Sequence, residues 1–327
     1  EESGELLQKL LSKGWEIGLL QASLPEAYSG FGERSAVTGV LAIEGMVFGG
    51  LAGTLAVLTP SLFPTPTLLA GSEEQKQEYL PKVIEGEWSP YTAALIEYAF
   101  DFDPNDLKTT AALQGNEYVL NGEKAFVSFA KDAEHILVYA NLEGQTQGFI
   151  VSKESTGLMV SDEREKLMSL NALPLYRVHL ADVRVPVTQR LGGPEGHDFE
   201  PILASLRVAT APAAVGVANA AFEYSKDYAR EREAFGVKIA QKQAIAFMLA
   251  EMRTEIEASR LLTWEAAWKL DQGKEDAFTE AYLAAMGAAD MAMMVTDRAV
   301  QILGGHGYIR EHPVEMWMRN GRGFATF

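Results

Sequence analysis

Three tracts toward the C-terminus gather residue types that can hold a ligand: Arg232-Glu-Ala-Phe235-Gly236, then Gln301-Ile-Leu-Gly304-Gly305-His-Gly307-Tyr308, then Pro313-Val-Glu315 followed by Arg319. A guanidinium can fork onto two acceptor oxygens, and glycine lets a main chain come close to a bound molecule. Singly, each has a plainer explanation. Arg232 stands in the run Arg230-Glu-Arg-Glu, where it is one more solvated charge, since exposed ion pairs contribute little. Gly304-Gly305 alone is a helix cap, Phe126 alone belongs to a core, and Ser128 alone satisfies a strand end. Arg207 differs, because it sits amid alanine and leucine and a buried arginine needs a partner.

The motifs that would settle a chemistry on their own are missing. There is no G-x-x-x-x-G-K-[ST], no G-x-G-x-x-G between strand and helix, no H-E-x-x-H and no G-x-S-x-G. The histidines, His135, His179, His197, His306 and His312, lack the clustered spacing of a metal site. Cysteine is absent, which removes disulfides, thiolate metal sites and a cysteine nucleophile together and leads to the expectation of a reducing compartment, the cytoplasm by default. The 45 acidic against 28 basic residues give a formal charge of -17. That field repels nucleic acid and anionic lipid, and any anionic substrate needs local basic groups to overcome it.

The elements that must position these residues fall into three regions. From 1 to 89 the apolar residues recur at helical spacing, with interruptions expected at Leu24 to Gly32 and at Pro60 to Pro66. Ser72, with Glu73 and Glu74 after it, is a helix N-cap. From 90 to 196 short β-branched and aromatic runs predict a β domain. Within it, Tyr118-Val119-Leu120 and Ala125-Phe126-Val127 around Asn121-Gly122 predict a hairpin. Further strands are expected at His135 to Tyr139, Gly148 to Val151 and Tyr176 to Val185, the last with a turn or bulge near Ala181-Asp182. From 197 to 327 three long helices, about 199–232, 241–271 and 275–303, are closed by Gly236, Gly273 and Gly304, and a fourth starts near Pro313. No uncharged stretch reaches the ~18 residues of a membrane span. The chain opens on Glu1-Glu2 and reads as trimmed at both ends.

Local matches in order along nearly the whole chain carry a resemblance. Pro25-Glu26-Ala27-Tyr28-Ser29-Gly30-Phe31-Gly32, Gly71-Ser-Glu-Glu-Gln75-Lys76 with Tyr79-Leu80-Pro81 and Gly86-Glu87, and Leu120-Asn121-Gly122-Glu123-Lys124-Ala125-Phe126-Val127-Ser128 resemble tracts of the acyl-CoA dehydrogenase family, and the three C-terminal tracts continue the match. The resemblance implies an α+β multidomain fold: an N-terminal helical domain, a middle β-barrel or sandwich domain, and a C-terminal four-helix bundle. It implies FAD as cofactor, α,β-dehydrogenation of an acyl-CoA in fatty acid metabolism, and an electron-transfer flavoprotein as acceptor. Arg232 would pair with the FAD pyrophosphate of a neighbouring subunit and Phe235 would pack on that cofactor. Gln301 and the Gly304-Gly305 backbone would contact its adenosine side, and Phe126, Val127 and Ser128 would lie beside the isoalloxazine. A homo-oligomer, dimer or tetramer, follows. Arg207 matches an arginine next to the active site, with a structural salt bridge as the equal alternative.

Two departures from the family pattern bear on function. Leu95-Ile96-Glu97-Tyr98-Ala99-Phe100-Asp101-Phe102-Asp103 occupies the place of L-T-E-P-G-A-G-S-D, so Ile96 replaces a flavin-bonding threonine and Phe102 a small serine near the acyl-CoA path. Ile96 cannot donate a hydrogen bond. The second concerns the carboxylate that removes the α-proton of the thioester, which must lie within hydrogen-bond reach. Phe327 takes the place of the aromatic residue before it, so the glutamate is expected directly after Phe327, and the other family location falls on Leu206, which cannot act as a base. Two readings from other classes stay open. A non-catalytic structural or heteromeric relative would be colourless and refuse FAD, and an acyl-CoA oxidase would release hydrogen peroxide.

Overall fold

The computed structural model describes residues 4–325. They form two compact units, the first taking in residues up to Arg34, Leu55–Leu167 and Asn171–Ile202, the second Ser35–Thr54, Met168–Leu170 and the residues from Leu203 on. The N-terminal helical region is divided between the two units.

Along the chain the helices begin with α1 (Gly4–Glu16), α2 (Leu19–Ala22), α3 (Ala36–Gly49), α4 (Leu51–Leu58), α5 (Pro64–Ala70) and α6 (Glu73–Ile84). The interruption expected from Pro60 to Pro66 is present: α4 ends at Leu58 and α5 begins at Pro64 after a short 3-10 segment. Pro60 lies in the first turn of a 3-10 segment, Thr59–Leu62, and Pro64 opens α5, both positions where a missing N–H costs nothing. Ser72 caps α6 as expected: its side chain accepts from Gln75 N, and the Gln75 side chain accepts from Ser72 N in return.

The first unit is centred on a mixed sheet, with seven strands among the described residues: β1 (Thr92–Ala94), β2 (Thr110–Gln114), β3 (Glu117–Ser128), β4 (His135–Leu142), β5 (Gln145–Ser152), β6 (Leu158–Val160) and β7 (Leu175–Pro186). The order is β1-β4-β2-β3-β7-β6, with β5 paired to β4. Strand β4 is almost wholly buried and reads as a continuous apolar run, whereas β7 alternates inward and outward residues. The hairpin expected at Asn121-Gly122 does not form. β3 runs through both residues as one strand, Asn121 opposite Thr110 of β2 and Gly122 opposite Leu180 of β7. Glycine is required there for another reason, since a Cβ at Gly122 (φ 149°) would lie 2.6 Å from Thr109 Oγ1 and 2.7 Å from its Cα. The tight turns fall instead at Gly115, and at Glu143-Gly144, whose φ angles of 54° and 85° are the left-handed pair of a two-residue hairpin. The irregularity expected in β7 is present, with Asp182 at φ 53° facing the register shift of β3 between Leu120 and Gly122.

The second unit contains α3, α7 (Glu200–Glu231), α8 (Gln243–Asp271), α9 (Ala277–Leu303) and α10 (Val314–Gly323), with a small hairpin of β8 (Glu233–Ala234) and β9 (Val237–Lys238). Its core is rich in alanine, among them Ala211, Ala214 and Ala218 of α7 and Ala284, Ala288 and Ala292 of α9, all almost fully buried. Small side chains bring helix backbones together: a Cβ at Gly216 of α7 would stand 2.7 Å from Glu44 O of α3. Asp271, the last residue of α8, accepts from Ala36 N (2.6 Å), Val37 N (3.1 Å) and Ser35 Oγ (2.9 Å), and so satisfies the free donors opening α3. α7 is long and apolar enough to cross a membrane, but its most apolar window is 67% buried within the protein, which makes it a core helix.

Candidate functional site

Arg232 follows the last turn of α7, where its N–H still bonds Tyr228 O at 2.8 Å. The chain then reverses in the β8–β9 hairpin, and Phe235 (φ 55°) and Gly236 (φ 78°) form the tip. This turn carries Phe235 into solvent, 94% exposed. The charges around Arg232 are accounted for: Arg230 pairs with Asp227 at 3.9 Å and Lys238 with Glu233 at 2.9 Å. The Arg232 side chain has no hydrogen-bond or ion-pair partner among the described residues.

Opposite Arg232 the end of α9 turns at Gly304, whose φ of 58° favours glycine and whose N–H closes the helix onto Val300 O and Gln301 O. A Cβ at Gly304 or at Gly305 would meet nothing within 4 Å, so both backbones face open space. Gly307 is different: a Cβ there would strike Val300 O at 2.5 Å, and its glycine serves the fold. Between Arg232 and this glycine pair lies a cleft of about 310 Å³, lined also by Tyr228, Ile302 and His306. A free guanidinium, two bare backbones and an apolar wall suit an anionic ligand with a flat, partly apolar end. Gln301 is exposed at the head of the same turn.

Behind the cleft stands a column of rings that the sequence reading missed. Tyr228 Oη and His306 Nδ1 are 2.7 Å apart, as are Tyr224 Oη and His312 Nδ1. The two imidazoles stack with centroids 5.4 Å apart and planes 25° from parallel. One signal was available, because Tyr224, Tyr228 and Arg232 follow at spacings of four and share one face of α7.

The first unit holds the other predicted residues. Phe126 (φ 56°) lies at a register shift of β3, half-buried, with the Tyr98 ring 5.3 Å away. Val127 is 1% exposed in the sheet core, so only its main chain is available to a ligand. The Ser128 hydroxyl is held inside the unit, 3.2 Å from Thr92 Oγ1 and 3.4 Å from Thr59 Oγ1. Ile96 is fixed by its carbonyl, which accepts from Ala125 N at 2.8 Å. The adjacent Glu97 and Lys124 form a buried ion pair at 2.7 Å, also unforeseen. Burial pushes the Lys124 ammonium down to about 8 although Glu97 opposes the shift. Burial would raise the Glu97 carboxyl, but Lys124 and the bonds from Thr109 and Lys108 outweigh it and hold it below its ordinary value.

Of the remaining predicted residues, Phe102 is half-buried in the loop before β2. Arg207 is half-buried on α7, its guanidinium 5.0 Å from the centroid of the Tyr282 ring on α9. Arg319 binds Glu315 through two nitrogens at 2.9 and 3.0 Å and the Met168 carbonyl at 2.7 Å, so the third C-terminal tract ties α10 down. Phe327 lies outside the described residues.

Models of the acyl-CoA dehydrogenase N-terminal, middle and C-terminal domains match residues 1–87, 94–183 and 199–327. Subunit CarC of the caffeyl-CoA reductase-Etf complex of Acetobacterium woodii is 34% identical, over 100% of this chain and 87% of its own. The 3-(aryl)acrylate reductase of Clostridium sporogenes is 32% identical over 100% of this chain and 88% of its own. The butyryl-CoA dehydrogenase of Megasphaera elsdenii superposes with a TM-score of 0.86 at 30% identity, over 99% of this chain and 85% of that one.

Proposed function

Because this chain belongs to the acyl-CoA dehydrogenase family, we propose that it holds FAD at the Arg232 cleft and oxidises an acyl-CoA to its α,β-unsaturated form, passing electrons to an electron-transferring flavoprotein. The observation that carries the cofactor assignment is the Arg232 guanidinium, without a side-chain partner among the described residues and facing a bare glycine pair across a cleft. A diphosphate is the ligand part that suits it. Gly304 and Gly305 leave room for the adenosine side, and Phe235 offers an exposed apolar plane. When bound, FAD would supply the acceptor for the hydride that leaves the β-carbon of the thioester, while the α-proton leaves to a base.

A homo-oligomer is part of the same proposal. Exposed Leu261, Leu262 and Trp268 on α8 and Leu283 and Met286 on α9 leave apolar surface of the kind a second copy covers. A second direction of reaction, reduction of an aryl-substituted enoyl thioester, is favoured by two relatives, a caffeyl-CoA reductase subunit and a 3-(aryl)acrylate reductase.

The test is the visible spectrum of the purified, full-length protein, followed by anaerobic mixing with saturated acyl-CoAs. Yellow protein that bleaches on mixing supports the dehydrogenase reading. Protein that is colourless and takes up no FAD sinks it, and peroxide formed in air points to an oxidase. Arg232→Ala is expected to lose FAD on gel filtration while remaining folded.

A further inference from the structure

We infer that His306 is a ligand of the dinucleotide in this cleft, presenting Nε2–H to an oxygen of the ADP half, and that Tyr228 is the residue that sets its tautomer. The inference rests on the FAD reading above and adds residues to it. His306 lines the cleft together with Arg232 and the Gly304-Gly305 pair. Its Nδ1 is engaged by the Tyr228 hydroxyl at 2.7 Å. When that hydroxyl donates, Nδ1 is the acceptor and the ring proton must sit on Nε2, the nitrogen left for a ligand. The ring cannot swing away without cost, because its other face stacks on His312, which is itself pinned by Tyr224 at 2.7 Å. Tyr228 also meets both imidazoles edge-on, with centroids 6.0 and 5.8 Å distant. A core histidine needs none of this beside a cleft. The arrangement is that of a donor held in place before its ligand arrives, which lowers the ordering cost of binding.

The test compares His306→Gln with His306→Asn in the full chain stripped of flavin and titrated with FAD, FMN and ADP. A glutamine amide can reach the Nε2 position, whereas an asparagine amide reaches only as far as Nδ1. The expected result is that His306→Gln stays within about threefold of the parent for FAD and ADP, and His306→Asn weakens both by roughly tenfold or more. FMN, which lacks the AMP portion of FAD, should bind all three proteins alike. Tyr228→Phe should weaken FAD severalfold and shift the ¹⁵N resonances of His306 from the single Nε2–H tautomer to a mixture, a signature that loss of packing alone does not give. Equal FAD affinity of parent, His306→Gln and His306→Asn overturns the inference, as does an unchanged tautomer in Tyr228→Phe. Arg232→Ala separates the two levels: if it binds FAD as the parent does, the cleft reading itself falls, whereas if it alone weakens binding only the role of His306 is withdrawn.

Discussion

Lys124 Nζ stands 2.7 Å from Glu97 Oε1, with the lysine side chain fully withdrawn from solvent and the glutamate nearly so. Both members make further hydrogen bonds. Lys124 also donates to Leu95 O at 3.1 Å, and Glu97 accepts from Lys108 N at 2.7 Å and Thr109 N at 2.9 Å. It thereby ties the segment carrying Ile96 to the strand carrying Phe126. Replacing one partner strands the other charge: Lys124→Met is expected to cost about 3–5 kcal/mol in urea unfolding at neutral pH. The double variant Glu97→Gln/Lys124→Met should recover much of that loss. A single variant as stable as the parent would show that the pair does not hold the segment.

The same pair gives stability a defined pH dependence. Burial brings Lys124 from an ordinary 10.5 down to about 8. Between those values the unfolded chain keeps a proton that the folded chain has released, so through this group the fold gains stability as pH rises across the window and carries the full penalty below it. Glu97 works at the acid end. Its carboxyl is held below the ordinary 4.5, so its contribution is complete above that value and fades as pH falls through the lower, folded one. Stability of the parent minus that of Glu97→Gln/Lys124→Met, followed from pH 7 to 10.5, should climb above pH 8; a flat difference sinks the assignment.

Much of the fold was legible because it is periodic. The spans expected at 241–271 and 275–303 are α8 and α9 within two residues, since a long helix repeats its signal many times. Asn121-Gly122 misled because a two-residue turn signal is local, whereas pairing to Thr110 and Leu180 is not, and the pairing won. Glu97 and Lys124 are 27 residues apart, and no pattern in the chain marks them as partners. The pairing of His306 with Tyr228 escaped for the same reason, their meeting depending on where α9 ends against α7. The Arg232 and Gly304-Gly305 tracts stood out only through their resemblance to the family's tracts, since singly each reads as a solvated charge or a helix cap.

Gly122 offers a direct check of the strand reading. An alanine there would press on Thr109 at 2.6–2.8 Å and hold a φ of 149° that side chains avoid. Gly122→Ala is expected to lose roughly 2–4 kcal/mol, from overpacking with backbone strain. Were the two residues a free hairpin tip, alanine would cost far less, and thermal unfolding distinguishes the cases.

Ile96 is where this chain's own chemistry departs from the tract it resembles. Its carbonyl is bonded to Ala125 N, which fixes the residue beside the strand turn at Phe126, yet its side chain can donate nothing. The flavin reading therefore expects a ring one hydrogen bond short of the usual set. Ile96→Thr returns a hydroxyl at that place without disturbing the carbonyl. If the ring lies against residue 96, the variant should retain FAD about threefold to tenfold more tightly, the size of one neutral hydrogen bond, with a shift of the visible flavin band. The Ser128 hydroxyl, held by Thr92 and Thr59, makes a useful control, since Ser128→Ala should lower stability by about 1 kcal/mol and move the band less than Ile96→Thr does. Release rates and spectra identical to the parent in Ile96→Thr would place the isoalloxazine elsewhere and leave only the Arg232 cleft as a cofactor contact.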